Sequence, residues 1–437
     1  MNPLIKILAL ASVLVPFATA RAQDTDFRQA AREAMARYEY SKAIEFLDQA
    51  SEGVEDVATL RDIALQKARC QKKLLRFDAA SETLASVMGP GMLDVEVAGE
   101  LADCHVNSGK LGDALILYSL LSMQHPDNLY LSIQKASLLF KVGDFEGCLD
   151  EGKAICDKEP IPSIYSLIGA SALKLGQVDS SLVYYRKSLE LNPLNAGTVT
   201  SISNILLGKK DYDGIISMAK DFIEKVPDNL GIGQILGVAY YLKDDQDEAY
   251  EVFKQLRKDG DDSYGTMYYS GLNALSLNRF QVARDCFDSA WQTDSTDAKL
   301  AVNYATALVN GPITYKKDDV VHITPKEAEY LYNKALELSE PDPGVMYKTH
   351  KGLGQLYYQG MQDMNKALPH YEAAYKYNPD DISLLVSIGY CHEVRKEYKQ
   401  ALQYYEKYMK VGKEGTKNFD FAKQSSINCR AELHMQE

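Results

Sequence analysis

The sequence predicts an all-α fold: an α-solenoid of about eleven helix–turn–helix units, closed by a C-terminal capping helix. Three periodicities predict it. A compact residue recurs at Ala43, Ala80, Ala114, Cys148, Ser181, Ile215, Ala249, Ala283, Ala328, Ala367 and Ala401, mostly 34 positions apart. Twelve residues before most of these anchors stands a second small residue, as at Ala31, Ala68, Ala102, Ala136, Gly169, Ser203, Gly237, Gly271 and Gly389; Gly354 leads its anchor by thirteen. Four residues after the anchor comes a bulky side chain (Leu47, Tyr118, Phe253, Phe287, Tyr371, Tyr405), and twelve after, in several copies, a proline (Pro126, Pro160, Pro193, Pro227, Pro379).

Taken in chain order, the first element is a targeting segment. Lys6 precedes an apolar run from Ile7 to Ala20, and Ala20-Arg21-Ala22 places cleavage before Gln23, with Ala18-Thr19-Ala20 as second choice. The run falls short of the roughly 20 residues that span a bilayer. Residues 1–22 are therefore expected to be a cleaved signal peptide, and no apolar segment after it is long enough to span.

Residues 24–415 form the repeat array. Each unit reads as helix A, a tight turn, helix B, and a turn closed by proline, which cannot continue a helix. The paired small residues let A and B approach closely. The bulky residue lies one turn beyond the anchor on the same face and is expected to fill the gap to the next repeat. Neighbouring units thus bury each other's apolar faces in one elongated core. Cys148 with Gly152 and Ile215 with Ala219 are poor copies, and the first unit is degenerate, as expected of an array end. The interval from Ala283 to Ala328 is longer than the rest, and the loop 311–323 carries the excess. Thr324, Pro325 and Glu327 then supply a capping box and first helical residue where helix B resumes. Residues 416–437 read as the capping helix that keeps the array end soluble.

These slots resemble the tetratricopeptide repeat family, whose pattern is W-x2-L-G-x2-Y, A-x3-F, P. The nearest copies are Leu236-Gly237-x2-Tyr240 with Ala249-x3-Phe253, and Leu353-Gly354-x2-Tyr357 with Ala367-x3-Tyr371 and Pro379. The resemblance implies a right-handed superhelix with a groove lined by helix A at the second, fifth, ninth and twelfth repeat positions. Carried onto this register, it implies a partner-binding groove containing Tyr130, Phe140, Thr200, Asn204, Gln234, Tyr241, Tyr268, Lys348, Lys351, Gln355, Tyr358 and Tyr390. The Lys/Asn clamp with which some family members hold a carboxylate is not matched. Lys351 is followed by Gln355 and then by Ser383 and Ser387, and Asn204 is followed by Gly231 and Ile235. Tyr315, Lys316, Lys317, Asp318 and Asp319 in the inserted loop form a second candidate contact surface, because insertions in arrays often lie on a binding face.

No catalytic site, metal site or cofactor is expected. The chain lacks H-E-x-x-H, paired C-x2-C, a phosphate loop and G-x-S-x-G. The acidic runs at 243–248 and 258–263 miss the calcium-loop pattern and sit where turns are expected. All seven Cys fall inside predicted helices and read as buried free thiols. The formal charge of −13 argues against nucleic acid and anionic membrane surfaces as partners. No Asn is followed two residues later by Ser or Thr, which favours a bacterial envelope over a eukaryotic secretory route. The expectation is a non-enzymatic protein–protein interaction scaffold in the periplasm, or secreted or associated with the outer membrane, binding an extended segment or loop of a partner in its groove. The alternatives are a carbohydrate- or peptidoglycan-binding module and an accessory subunit of an envelope enzyme or secretion complex.

Overall fold

The computed structural model describes residues 26–436 apart from 90, 92, 312–324 and 339–341. The predicted signal peptide, loop residues 312–323 with Tyr315, Lys316, Lys317, Asp318 and Asp319, and the Thr324 cap lie outside them. The described residues are all-α, a solenoid of consecutive helix pairs, and their contacts divide it into two compact units, Met1–Ile205 and Leu206–Glu437.

The first unit opens with α1 (residues 26–36) and α2 (Tyr40–Ser51). There follow α3 (Val57–Lys73) with α4 (Phe77–Ala85), α5 (Val95–Asn107) with α6 (Leu111–Gln124), α7 (Leu129–Val142) with α8 (Phe145–Lys158), and α9 (Pro162–Lys174) with α10 (Val178–Leu191). The division falls inside α11 (Ala196–Gly208). The second unit continues with α12 (Tyr212–Lys225), α13 (Leu230–Lys243), α14 (Gln246–Lys258), α15 (Tyr264–Ser276) and α16 (Phe280–Thr293). It ends with α17 (Ala298–Asn310), α18 (Pro325–Leu338), α19 (Pro343–Gln355), α20 (Met364–Tyr377), α21 (Ser383–Val394), α22 (Tyr398–Val411) and α23 (Lys417–Gln436). Odd-numbered helices up to α21 are the A helices of eleven pairs. The last, α23, caps the array and buries Phe419, Ala422 and Cys429.

The small residue of helix A has a definite partner. A Cβ added to Gly237 would lie 2.8 Å from the Phe253 ring, and one on Gly389 would lie 2.8 Å from the Tyr405 ring. Gly169 faces Tyr185, Gly271 faces Phe287 and Gly354 faces Tyr371 in the same way. The bulky residue therefore closes onto helix A of its own repeat, where the sequence reading sent it toward the next. The reason is distance: the missing side chain opens a slot within the pair that a ring fills at once. Tyr332 does reach forward, lying against Gly352 of the following pair.

Among the described residues, the A–B turns other than the one between α17 and α18 are each closed by one residue in the left-handed region. Gly109, Gly143 and Gly176 supply it in three pairs, while Tyr38, Leu75, Lys210, Asp244, Asn278, Gln362 and Lys396 do so elsewhere with φ between 53° and 73°. L-residues with a Cβ are strained there by roughly 1–2 kcal/mol. Leu75 is 75% exposed, so its side chain contributes little packing. Leu75→Gly is expected to stabilise the first unit by about 0.5–1 kcal/mol, read as a rise in urea midpoint at constant slope.

One pair departs from the pattern. After α19 the chain makes a π-helical turn over Leu356–Gly360, in which the Met361 N–H donates to the Leu356 carbonyl at 3.1 Å. This is where the interval from small residue to anchor is thirteen instead of twelve. A wider turn takes up the extra residue, and the anchor Ala367 stays fully buried. Beside it, the seam between α19 and α20 holds His350 and His370 with their Nδ1 atoms 3.0 Å apart, one donating and the other accepting. His350 stacks on Tyr377 and His370 on Tyr357, whose hydroxyl donates to Glu329 at 2.6 Å.

The sequence's cysteine expectation holds: all seven are buried and free. Among the described residues no helix is long and apolar enough to cross a membrane, and no cluster of three or more His, Cys, Asp or Glu is placed to hold a metal.

Candidate functional site

Helix A presents one face to its own helix B and another to the A helices on either side. On that second face, in the second unit, α13, α15, α17 and α19 together line an open cleft of about 540 Å³. Tyr241 enters from α13, Tyr268, Leu272, Leu275 and Ser276 from α15, Lys299, Val302 and Asn303 from α17, and Asp342, Gly344, Val345 and Lys348 from α19. These residues recur at helical spacing (268, 272, 275; 299, 302, 303; 344, 345, 348) because one face of each straight helix is shared.

The floor is aliphatic, with Val302 and Val345 almost wholly buried. One wall is aromatic. Tyr264 and Tyr268 stack in parallel with centroids 5.7 Å apart, and Tyr269 meets the rings of both Tyr268 and Tyr241 edge-on. The Tyr264 hydroxyl donates to Asp297 Oδ2 at 2.7 Å, tying α15 to the N-terminus of α17. Burial, with Asp297 nearby, pushes the Tyr268 phenol up to about 12, so the wall is neutral at physiological pH. The rim is polar. Asp342 Oδ1 accepts the Gly344 and Val345 N–H groups and so caps α19, while its Oδ2 lies 3.9 Å from Lys299 Nζ. Lys348 is exposed and forms no ion pair among the described residues.

Of the residues nominated from sequence, Tyr241, Tyr268 and Lys348 meet in this cleft. Gln234 lies beside it over the backbone of Gly265. Lys351 is tied off: its ammonium donates to Asp381 Oδ2 at 2.7 Å and to the Tyr347 hydroxyl at 3.2 Å. Burial would raise the Asp381 carboxyl, but hydrogen bonds from Lys351, Ser383 and Tyr347 outweigh it and hold the group down at about 2. Gln355 is engaged with Gln359. Tyr358 and Tyr390 form a separate aromatic ladder that ends on Phe421 of α23. In the first unit, Tyr130 is exposed, Phe140 packs edge-on against Phe145, and Thr200 donates back to the Ala196 carbonyl of its own helix. Asn204, in α11, is exposed.

The sequence reading missed the contribution of α17. Counting back twelve from Ala328 lands in the lengthened loop, so Lys299, Val302 and Asn303 received no repeat position. Counting forward from Asp297, a capping Asp before an apolar helix, would have recovered them. Leu272 and Leu275 occupy the ninth and twelfth positions of their repeat but look like core residues in sequence.

The tetratricopeptide repeat family model matches residues 354–410, and a second model of that family matches 162–193. Both segments coincide with A–B pairs described above: α9 with α10, and the end of α19 through α22. The chain carries tetratricopeptide repeats in these two segments. Among solved structures, a tetratricopeptide repeat protein from Parabacteroides merdae ATCC 43184 is 16% identical with a TM-score of 0.41, covering 57% of this chain and 99% of its own. YrrB, titled a TPR protein with an unusual peptide-binding site, is 17% identical with a TM-score of 0.38, covering 46% of this chain and 95% of its own. A MamA structure is 22% identical with a TM-score of 0.35, covering 40% and 93%. No curated protein matches. The tetratricopeptide repeat fold supports a protein–protein interaction scaffold in general, and proteins are the partners it implies.

Proposed function

We propose that this protein is an exported, non-enzymatic scaffold of the bacterial cell envelope that binds an extended segment or loop of a partner along the A helices of its second unit. The single observation that carries the binding reading is the cleft itself. It joins four consecutive A helices, with an aliphatic floor and a rim of lysine, amide and hydroxyl groups. An extended chain can set one side chain on such a floor while its backbone meets the polar rim. Export is supported by Lys6, the apolar run from Ile7 to Ala20 and the small residues that follow.

A photo-crosslinking amino acid placed at Ser276, in the cleft, should capture a discrete partner from living cells. The same residue at Lys254, exposed on α14, should not. Equal capture at both positions rejects the groove as the contact surface. Recovery of the chain from an osmotic-shock fraction with Gln23 as its first residue would test export, and a chain retained in the cytoplasm would reject it.

A further inference from the structure

We infer that the cleft selects extended segments in which an apolar side chain is flanked by a carboxylate. This rests on the groove reading above and adds the chemistry of what the groove accepts. Helix faces built on the same plan differ in how their cations are engaged. On α3, an A helix of the first unit, three cations are spent within the protein. Arg61 lies on Asp94 and Glu96, Arg69 on Glu96 and Glu100, and Lys72 on Glu100. In the second unit Lys351 is likewise held by Asp381.

The cleft differs. Its lining carries two ammonium groups, Lys299 and Lys348, against one carboxylate, Asp342. That carboxylate already accepts two backbone N–H groups at the start of α19. Lys348 stands one turn further along α19, exposed and without an ion pair among the described residues. The cleft also opens on the N-terminal end of α19, the positive end of its dipole. A local cationic surplus is therefore kept on a chain whose formal charge is −13. Beyond about 8 Å at physiological salt the overall negative charge is screened, so the lysines decide the register of a seated segment. A basic segment would meet both lysines at close range; a carboxylate next to the buried apolar side chain gives Lys348 the partner it lacks.

The probes are three pools of random dodecapeptides with a central Leu or Phe, flanked by Asp/Glu, by Ser/Gln or by Lys/Arg. Each is passed over immobilised full-length mature chain, and binding is scored by enrichment and then by fluorescence polarisation of the recovered sequences. The acidic pool should be enriched, its best members binding at least about tenfold more tightly than their Lys-flanked counterparts. Lys348→Glu should remove that preference without lowering the thermal midpoint. Equal enrichment of all pools, with binding abolished by Leu272→Asp, would overturn the inference and leave the groove reading intact. Preference for the neutral or basic pool would do the same. Binding by no pool, or binding indifferent to Leu272→Asp, would overturn both.

Discussion

Phe287→Ala is expected to cost about 3–5 kcal/mol of the stability of the second unit, the largest effect of any single substitution considered. Phe287 is fully buried, packs beside Tyr268, and its ring occupies the slot left by the missing side chain of Gly271. Truncation leaves a cavity whose opposite wall is a glycine in a helix, so nothing can lean in to fill it. The same geometry predicts a change of sign. Gly271→Ala alone should destabilise by about 1–3 kcal/mol, because overpacking against the Phe287 ring exceeds the ~1 kcal/mol that alanine gains in a helix. In the Phe287→Ala background, Gly271→Ala should stabilise, since the collision is gone and the propensity gain remains. Repeat arrays need not unfold as one unit, so the measurement is hydrogen exchange resolved by helix, read on α15 and α16. Additive effects of the two substitutions would reject this account of the pair.

Acid should weaken the α19–α20 seam next most strongly. Burial, then the proximity of His350, depresses His370 to about 4, against a smaller opposing pull from Glu329; burial also lowers His350. Both rings are therefore held neutral in the folded chain, while an unfolded histidine takes up its proton near pH 6.5. A base whose folded pKa is depressed leaves stability unaffected above its unfolded pKa. Stability then falls as pH drops from about 6.5 toward 4, because the unfolded chain binds more protons. By pH 5 the loss from His370 is on the order of 2 kcal/mol. His370→Gln keeps a hydrogen-bond partner for His350 and removes this titration. Urea midpoints measured from pH 7.5 to pH 5 should therefore decline more shallowly for the variant, and parallel slopes would reject the assignment.

How far the molecule could be read from its sequence depends on which interactions repeat. The anchors, the small residues before them and the helix pairs they define recur from unit to unit, so Ala249, Gly237 and Phe253 announce their places by spacing alone. Direction was harder. Nothing in a spacing of four says whether Phe287 looks forward or closes on Gly271, because both surfaces lie within a ring's reach. The cleft was half legible. Tyr241, Tyr268 and Lys348 follow from repeat positions, but Lys299 and Val302 were hidden by a loop whose length breaks the count, and Leu272 and Leu275 by their core-like composition. Charge pairing was not legible at all. Lys351 and Lys348 look equivalent in sequence; only the fold brings Asp381, thirty residues on, to Lys351 and leaves Lys348 alone.

The π-helical turn at Leu356–Gly360 has a consequence for how such a chain can change. A residue inserted into a helix would ordinarily rotate everything after it by about 100° and scramble the faces of each later repeat. Here the surplus is confined to one turn, and Gly389 still meets Tyr405 in the next pair. The net result of the length change is local: it is taken up within the turn that carries Tyr358 and leaves later phases untouched. An insertion of this kind acts on the array as a point substitution would, and opens to variation a class of change that a single closed core would reject.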